Sequence, residues 1–135
     1  AYEIAKALFL PLNVLVPKKI GAPHNVELAI GAIAEDGEIW LNRDLIGALE
    51  VPEFWIEAEA KKARRLAFER LAIYRQTLPL DSLEGKTVLL VDDGTATGAT
   101  MFAEIQSLRK QKVAAIVAIV PVAASDTWDK IQQLC

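Results

Sequence analysis

The chain has 135 residues, 15 Lys and Arg against 18 Asp and Glu, a net charge of −3 and a hydrophobic fraction of 53%. That is enough apolar material for a real core in one domain, and there is no basic excess of the kind that binds nucleic acid by bulk electrostatics. One Cys, Cys135, permits no internal disulfide and fits a cytoplasmic, reducing setting. The longest apolar run, Val113 to Ala124, contains Pro121 and falls short of the roughly twenty residues a bilayer-crossing helix needs, so no membrane partner is expected.

Ala1 to Leu10 is predicted as a short amphipathic helix with Ile4, Ala7 and Leu8 on one side, ended by Pro11. Asn13 to Val16 is a short apolar strand stopped by Pro17, Lys18-Lys19 follow, and Gly21 to Asn25 is a loop of turn residues. Leu28 to Ala34 and Glu38 to Leu41 are strands joined by the Glu35-Asp36-Gly37 turn, Asp-Gly being a hairpin signal. Asn42 to Leu49 is a short helix with Asn42 as its cap. Pro52 to Thr77 is the longest helix: Ile56, Ala60, Ala63, Ala67, Leu71, Tyr74 and Leu78 recur at spacings of three and four, and Glu57 with Lys61 forms an i,i+4 pair. The stripe of so long a helix in so small a domain suggests a homodimer.

Pro79 to Gly85 is a polar connection, Thr87 to Val91 an apolar strand, Thr97 to Gln111 a helix and Ala114 to Val122 another apolar strand, with Ser125 capping a last helix to Leu134. The strand–helix–strand unit should be parallel and right-handed, with the other strands joining the same sheet. The expected fold is α/β: one doubly wound, mostly parallel sheet flanked by helices, with a hairpin insertion.

The chemistry concentrates in Val88-Leu89-Leu90-Val91-Asp92-Asp93-Gly94-Thr95-Ala96-Thr97-Gly98-Ala99-Thr100. The apolar run reads as a strand buried on both faces. Asp92 and Asp93 stand at its carboxyl end, where open α/β sheets bind ligands. The small residues let backbone N–H groups approach a phosphate, the helix start adds a favourable dipole, and Thr97 and Thr100 add hydroxyls. Sugar hydroxyls and a phosphate a few ångströms apart would satisfy the set. Other chemistries are missing: there is no Gly-x-x-x-x-Gly-Lys-[Ser/Thr] loop, no Gly-x-Ser-x-Gly elbow, and one His with one Cys makes no zinc cluster.

All thirteen positions resemble the phosphoribosyl-pyrophosphate (PRPP) signature of type I phosphoribosyltransferases: a hydrophobic run, two acids, three small residues, then Thr-Gly-x-Thr. The resemblance implies that Asp92 and Asp93 hold the ribose 2′- and 3′-hydroxyls and act in catalysis. It also implies that Gly94, Thr95, Ala96, Thr97, Gly98 and Thr100 cradle the 5′-phosphate. Mg²⁺ would be bound with PRPP and not directly by protein. The transferred phosphoribosyl group would go to a nitrogen nucleophile such as a nucleobase, releasing pyrophosphate. A non-catalytic PRPP- or nucleotide-sensing regulator of the same fold is the alternative, whereas a phosphoacceptor receiver, which also has paired acids, lacks the Thr-Gly-x-Thr loop. The family usually has a further strand and a glycine-containing pyrophosphate loop upstream, and Ala1 to Leu8 resembles the helix after that loop. The expectation is therefore a single domain over residues 1–135, truncated at its N-terminus.

Val16-Pro17-Lys18-Lys19-Ile20-Gly21-Ala22-Pro23-His24-Asn25-Val26-Glu27-Leu28-Ala29-Ile30-Gly31-Ala32 also resembles one bacterial branch of the family, with Pro17-Lys18 where Val-Arg is usual. Lys18 and Lys19 are then a cation pair facing the pyrophosphate, although Lys gives phosphate a point charge and not a bidentate fork. A solvated basic turn is the competing reading. His24, the only histidine, is either a loop residue that touches ligand or acts on a proton, or simply a solvated one, and Glu27 either holds backbone near the site or is a strand-edge charge. Lys61-Lys62-Ala63-Arg64-Arg65 reads as a solvated helix face, Arg70 and Arg75 as reaching toward the pyrophosphate end, and Trp40, Trp55 and Trp128 as core or interface anchors.

Overall fold

The computed structural model of the chain describes residues 1–76 and 81–135. The expected end of the long helix at Thr77, its stripe residue Leu78 and the start of the connection at Pro79 lie outside the described residues.

The chain opens with α1 (Tyr2–Leu8), whose C-cap is Phe9 in the left-handed region (φ 53°). A hairpin follows: β1 (Lys18–Ala22) pairs antiparallel with β2 (Asn25–Ile33) through a tight turn at Pro23-His24, with His24 at φ 64°. β3 (Ile39–Leu41) returns along β2 after the expected Asp36-Gly37 turn, in which the Glu38 N–H donates to Asp36 Oδ1 (2.9 Å). α2 (Arg43–Ala48) is capped as expected: the Asn42 side chain accepts from the Leu45 N–H at 3.1 Å. α3 (Glu53–Arg75) buries Ile56, Ala60, Ala63 and Ala67 of the predicted stripe and leaves Tyr74 exposed. β4 (Thr87–Val91), α4 (Ala99–Lys110) and β5 (Ala115–Ile119) form the crossover. Its strands are parallel, in register from Thr87 opposite Ala115 to Val91 opposite Ile119. α5 (Ser125–Gln132) closes the described chain.

The fold is mixed α/β with a parallel pair and flanking helices, but the strands lie in two ladders and not one: an antiparallel β1-β2-β3 sheet and the parallel β4-β5 pair. Asn13–Val16, expected to be a strand, makes no ladder; the first strand begins at Lys18. Side chains hold this segment instead. Arg75 donates to the Val14 carbonyl at 3.0 Å and to Asn13 Oδ1 at 2.7 Å. Between it and β4 lies a groove of about 540 Å³, lined by Leu12, Val14 and Leu15 on one side and Val88 and Leu90 on the other. Among the described residues no strand pairs with the β4 edge facing away from β5. β4 is consequently half-buried and not enclosed on both faces.

Two apolar clusters and one seam hold the layers together. Ile20, Ile30 and Ile33 of the hairpin pack on Ile56, Ala60 and Ala63 of α3. Met101, Phe102, Ile105 and Leu108 of α4 pack with Ile116 and Ile131, and Trp128 flanks them. Between the two ladders, Ala99 and Ala103 of α4 meet Ala29, Ala32 and Ala34. Trp40 stacks on Phe102 with ring centroids 4.6 Å apart, and Trp55 Nε1 donates to the Gly21 carbonyl at 3.0 Å, so the tryptophans are the anchors the sequence suggested.

Candidate active site

The signature occupies the carboxyl end of β4, as its spacing dictates. The Asp92 N–H donates to the Ile119 carbonyl at 3.1 Å, the last parallel rung before the chain turns away. The next N–H, of Asp93, donates back to Asp92 Oδ1 at 2.8 Å, a local bond that holds the Asp92 carboxylate. Asp93 is exposed and Asp92 half-buried. Burial pushes the Asp92 carboxyl above its ordinary range, and the Asp93 amide opposes the rise. The pair thus presents one fixed, partly desolvated carboxylate and a neighbouring one exposed to solvent.

Beyond the acids the loop is sewn to the segment that follows β5. The Thr95 N–H donates to the Val122 carbonyl (3.0 Å), the Ala124 N–H donates to the Thr95 carbonyl (3.2 Å), and Thr95 bridges Ala123 in parallel. Gly98 is the N-cap of α4 at φ +73°, and an added Cβ would stand 2.5 Å from the Phe102 ring and 2.7 Å from the Thr127 methyl. Only glycine meets both demands. The helix begins at Ala99 and not at Thr97, because the left-handed Gly98 cannot be an internal helical residue. As at any helix start, the first-turn N–H groups, Ala99 to Met101, have no intrahelical acceptor and no side chain caps them. They are anion donors in waiting. Asp92 and Thr100 open onto the 540 Å³ groove, whereas Ala96 and Thr97 border a second hollow of about 340 Å³ with Arg43, Asp126 and Lys130.

The other sequence-predicted residues lie on the antiparallel ladder. Lys18 and Lys19 are inside β1, opposite Ile33 and Ala32, and not in a turn after a strand. Burial lowers the Lys18 pKa, and the neighbouring Arg70 cation adds to the effect. Lys19 is exposed and ion-pairs with Glu27 at 3.6 Å. Arg75 does not reach out as expected. It forks onto both oxygens of Glu35 at 2.7 Å, and both side chains are largely buried. On the basic face of α3, Lys62 pairs with Glu59 and Arg65 with Glu69, in place of the expected Glu57–Lys61 pair. Ser125 does not cap α5 with its side chain; Ala124 is the N-cap.

Two residues escaped the sequence reading. Thr127 Oγ1 donates to the Ala96 carbonyl at 2.7 Å. Glu104, on the buried side of α4, is 2% exposed, and neither of its oxygens has a partner among the described residues. Burial, then the nearby carboxylates of Glu35 and Asp36, raise its pKa from 4.5 to about 8, with Arg75 opposing. Its spacing was the available signal: Glu104 sits three residues after Met101 and four before Leu108, on the apolar stripe.

Comparison with known proteins identifies the family. The family model "Phosphoribosyl transferase domain" matches residues 1–135. Two Mycobacterium tuberculosis proteins, from strains H37Rv and CDC 1551 / Oshkosh, are named "Putative phosphoribosyl transferase" Rv0571c and MT0597. Each is 37% identical over 126 residues, covering 93% of this chain and 28% of the relative. The crystal structure of TT1426 from Thermus thermophilus superposes with a TM-score of 0.72 at 35% identity, over 97% of this chain and 62% of that one. The chain belongs to the phosphoribosyl transferase domain family. It spans little more than a quarter of the length of the curated relatives it matches. No helix among the described residues is long and apolar enough to cross a membrane.

Proposed function

We propose that this domain binds PRPP and transfers its phosphoribosyl group to a nitrogen nucleophile, a nucleobase or similar, with release of pyrophosphate. One observation carries the reading: within thirteen residues, two adjacent carboxylates at the end of a parallel strand lead into a loop fixed to the segment after β5 and an uncapped helix start. In this reading Asp92 and Asp93 accept from the ribose 2′- and 3′-hydroxyls, the fixed Asp92 setting orientation. The amides at the start of α4, with Thr97 and Thr100, hold the 5′-phosphate. As the bond to pyrophosphate breaks, positive charge grows on the sugar, and the two carboxylates stand close enough to stabilise it. Positioning and charge stabilisation then supply the catalysis, and no strong protein nucleophile is needed.

The donor set fits a metal that arrives with its ligand. Among the described residues no group of three or more His, Cys, Asp or Glu side chains could hold an ion by itself. Mg²⁺ bound through PRPP would neutralise the leaving pyrophosphate. Lys18 and Lys19 are proposed to add positive charge at that end.

The test is a thermal-shift titration with PRPP, with and without Mg²⁺, on the wild type and on Asp92→Asn/Asp93→Asn. Ligand at 100 times its Kd adds about 2.7 kcal/mol, a shift of several degrees. A Mg²⁺-dependent shift lost in the double variant supports the reading, and no shift in a folded wild type refutes it. Pyrophosphate release across a panel of bases then separates a transferase from a PRPP sensor, which would bind without turnover.

A further inference from the structure

The loop that carries Ala96 and Thr97 is gripped from a helix the signature does not include. Thr127 is the third residue of α5, 5% exposed, and its hydroxyl crosses to the Ala96 carbonyl, 31 residues earlier in the chain. A Thr in the first turn of a helix can spend its hydroxyl on its own helix start; here no side chain caps α5, and the hydroxyl goes to the loop.

That choice has a geometric consequence. Every peptide bond in the described chain is trans. In a trans peptide the carbonyl and the following N–H point in opposite directions. Pinning the Ala96 carbonyl on Thr127 therefore turns the Thr97 N–H away from α5. The Thr127 methyl and the Phe102 ring meanwhile confine Gly98 on its Cα side. Hydroxyl and methyl thus act on neighbouring peptides of the loop. The backbone ties to Val122 and Ala124, after β5, are made at Thr95, one residue earlier, so the Ala96–Thr97 peptide takes its orientation from Thr127.

We infer that Thr127 is a positioning residue for phosphate binding, setting the Thr97 amide as a donor to a sugar 5′-phosphate without touching the ligand itself. The inference rests on the proposed function, in which the 94–98 loop takes that phosphate. Preorganised donors bind an anion better than donors that must first turn.

Two substitutions separate the parts. Thr127→Val keeps the shape and drops the hydroxyl; Thr127→Ser keeps the hydroxyl and drops the methyl. The probes are ribose 5-phosphate and inorganic pyrophosphate, with the Thr97 amide followed by ¹H–¹⁵N NMR in the free protein. Thr127→Val should move or broaden the Thr97 peak and weaken ribose 5-phosphate about tenfold, the usual effect of one lost hydrogen bond, while leaving pyrophosphate affinity unchanged. Thr127→Ser should keep the wild-type peak and affinity. A Thr97 peak unmoved in Thr127→Val, or an affinity equal to wild type, overturns the inference. So does equal weakening of both probes, which would mark a general loss of fold. If the wild type itself fails to bind ribose 5-phosphate, the phosphate reading of the loop is what fails, and the Thr97 peak alone still decides whether Thr127 orients the peptide.

Discussion

Replacing Glu104 by Gln should make the protein more stable near neutral pH and remove most of its pH dependence there. In the folded chain Glu104 titrates near 8, against 4.5 for an ordinary Glu. The folded state therefore holds a proton that the unfolded state has released, and stability falls as pH rises between those two values. Each pH unit in that window costs about 1.4 kcal/mol, so at pH 7 the wild type gives up on the order of 3 kcal/mol relative to pH 4.5. Above about pH 8 both states are ionised and the loss levels off. Gln has the same shape and no titration, and Glu35, Asp36 and Arg75 remain in both proteins, so their contributions cancel in the difference. Urea denaturation of both proteins at pH 5, 6, 7 and 8.5 measures it. The advantage of Glu104→Gln should grow steadily from pH 5 to about 8 and then flatten, with a Tm gain near 10 °C at pH 7 at roughly 4 °C per kcal/mol. Parallel stability curves would refute the reasoning, because they would mean that Glu104 is ionised in the fold and has a partner.

Gly98→Ala combines a left-handed backbone with a Cβ only 2.5 Å from the Phe102 ring; calorimetry should show a loss of about 3 kcal/mol, and PRPP titration a weaker shift. Arg75→Met removes the fork from Glu35, whose side chain is 7% exposed; a buried carboxylate left unpaired should cost about 3 kcal/mol, read from urea midpoints. Ala103→Leu adds bulk to a side chain with no exposure in the seam between ladders; overpacking should cost about 1–3 kcal/mol in the same assay.

The legible parts of the sequence are those decided locally. Asp36-Gly37 makes its turn and Asn42 its cap because each depends on a hydrogen bond within a few residues. The 88–100 segment is readable because strand, acids, loop and helix are consecutive. What stays hidden depends on partners far along the chain. Asn13–Val16 has the composition of a strand, but a strand is defined by its neighbour, and here Arg75 and not a ladder receives its backbone. Arg75 resembles a ligand contact in the sequence because its acid, Glu35, lies 40 residues away. The tight Pro23-His24 turn is lost in a longer run of turn residues because a left-handed His carries no strong sequence mark. Thr127 grips the loop across 31 residues and no local pattern announces it.

The division into two ladders bears directly on the site. The carboxylates and the helix start belong to the β4-β5 pair, and Lys18 and Lys19 to the hairpin sheet. Sugar and leaving-group contacts, in the proposed function, thus come from separate sheets, and their spacing is set by whatever joins those sheets. α4 does this: it follows the acids directly and lies on β2 through the alanine seam. Methyl against methyl leaves no long side chain to rearrange, so the backbones of α4 and β2 fix the distance by direct contact. A mutation such as Ala103→Leu would therefore act twice, on stability and on the separation between acids and lysines, although residue 103 is in neither group. The same logic gives Glu104, one residue further along the helix, its significance. It lines the groove beside β4 and feels the carboxylates of Glu35 and Asp36, which follow the seam residue Ala34, so its protonation alters the energy of the fold next to that seam.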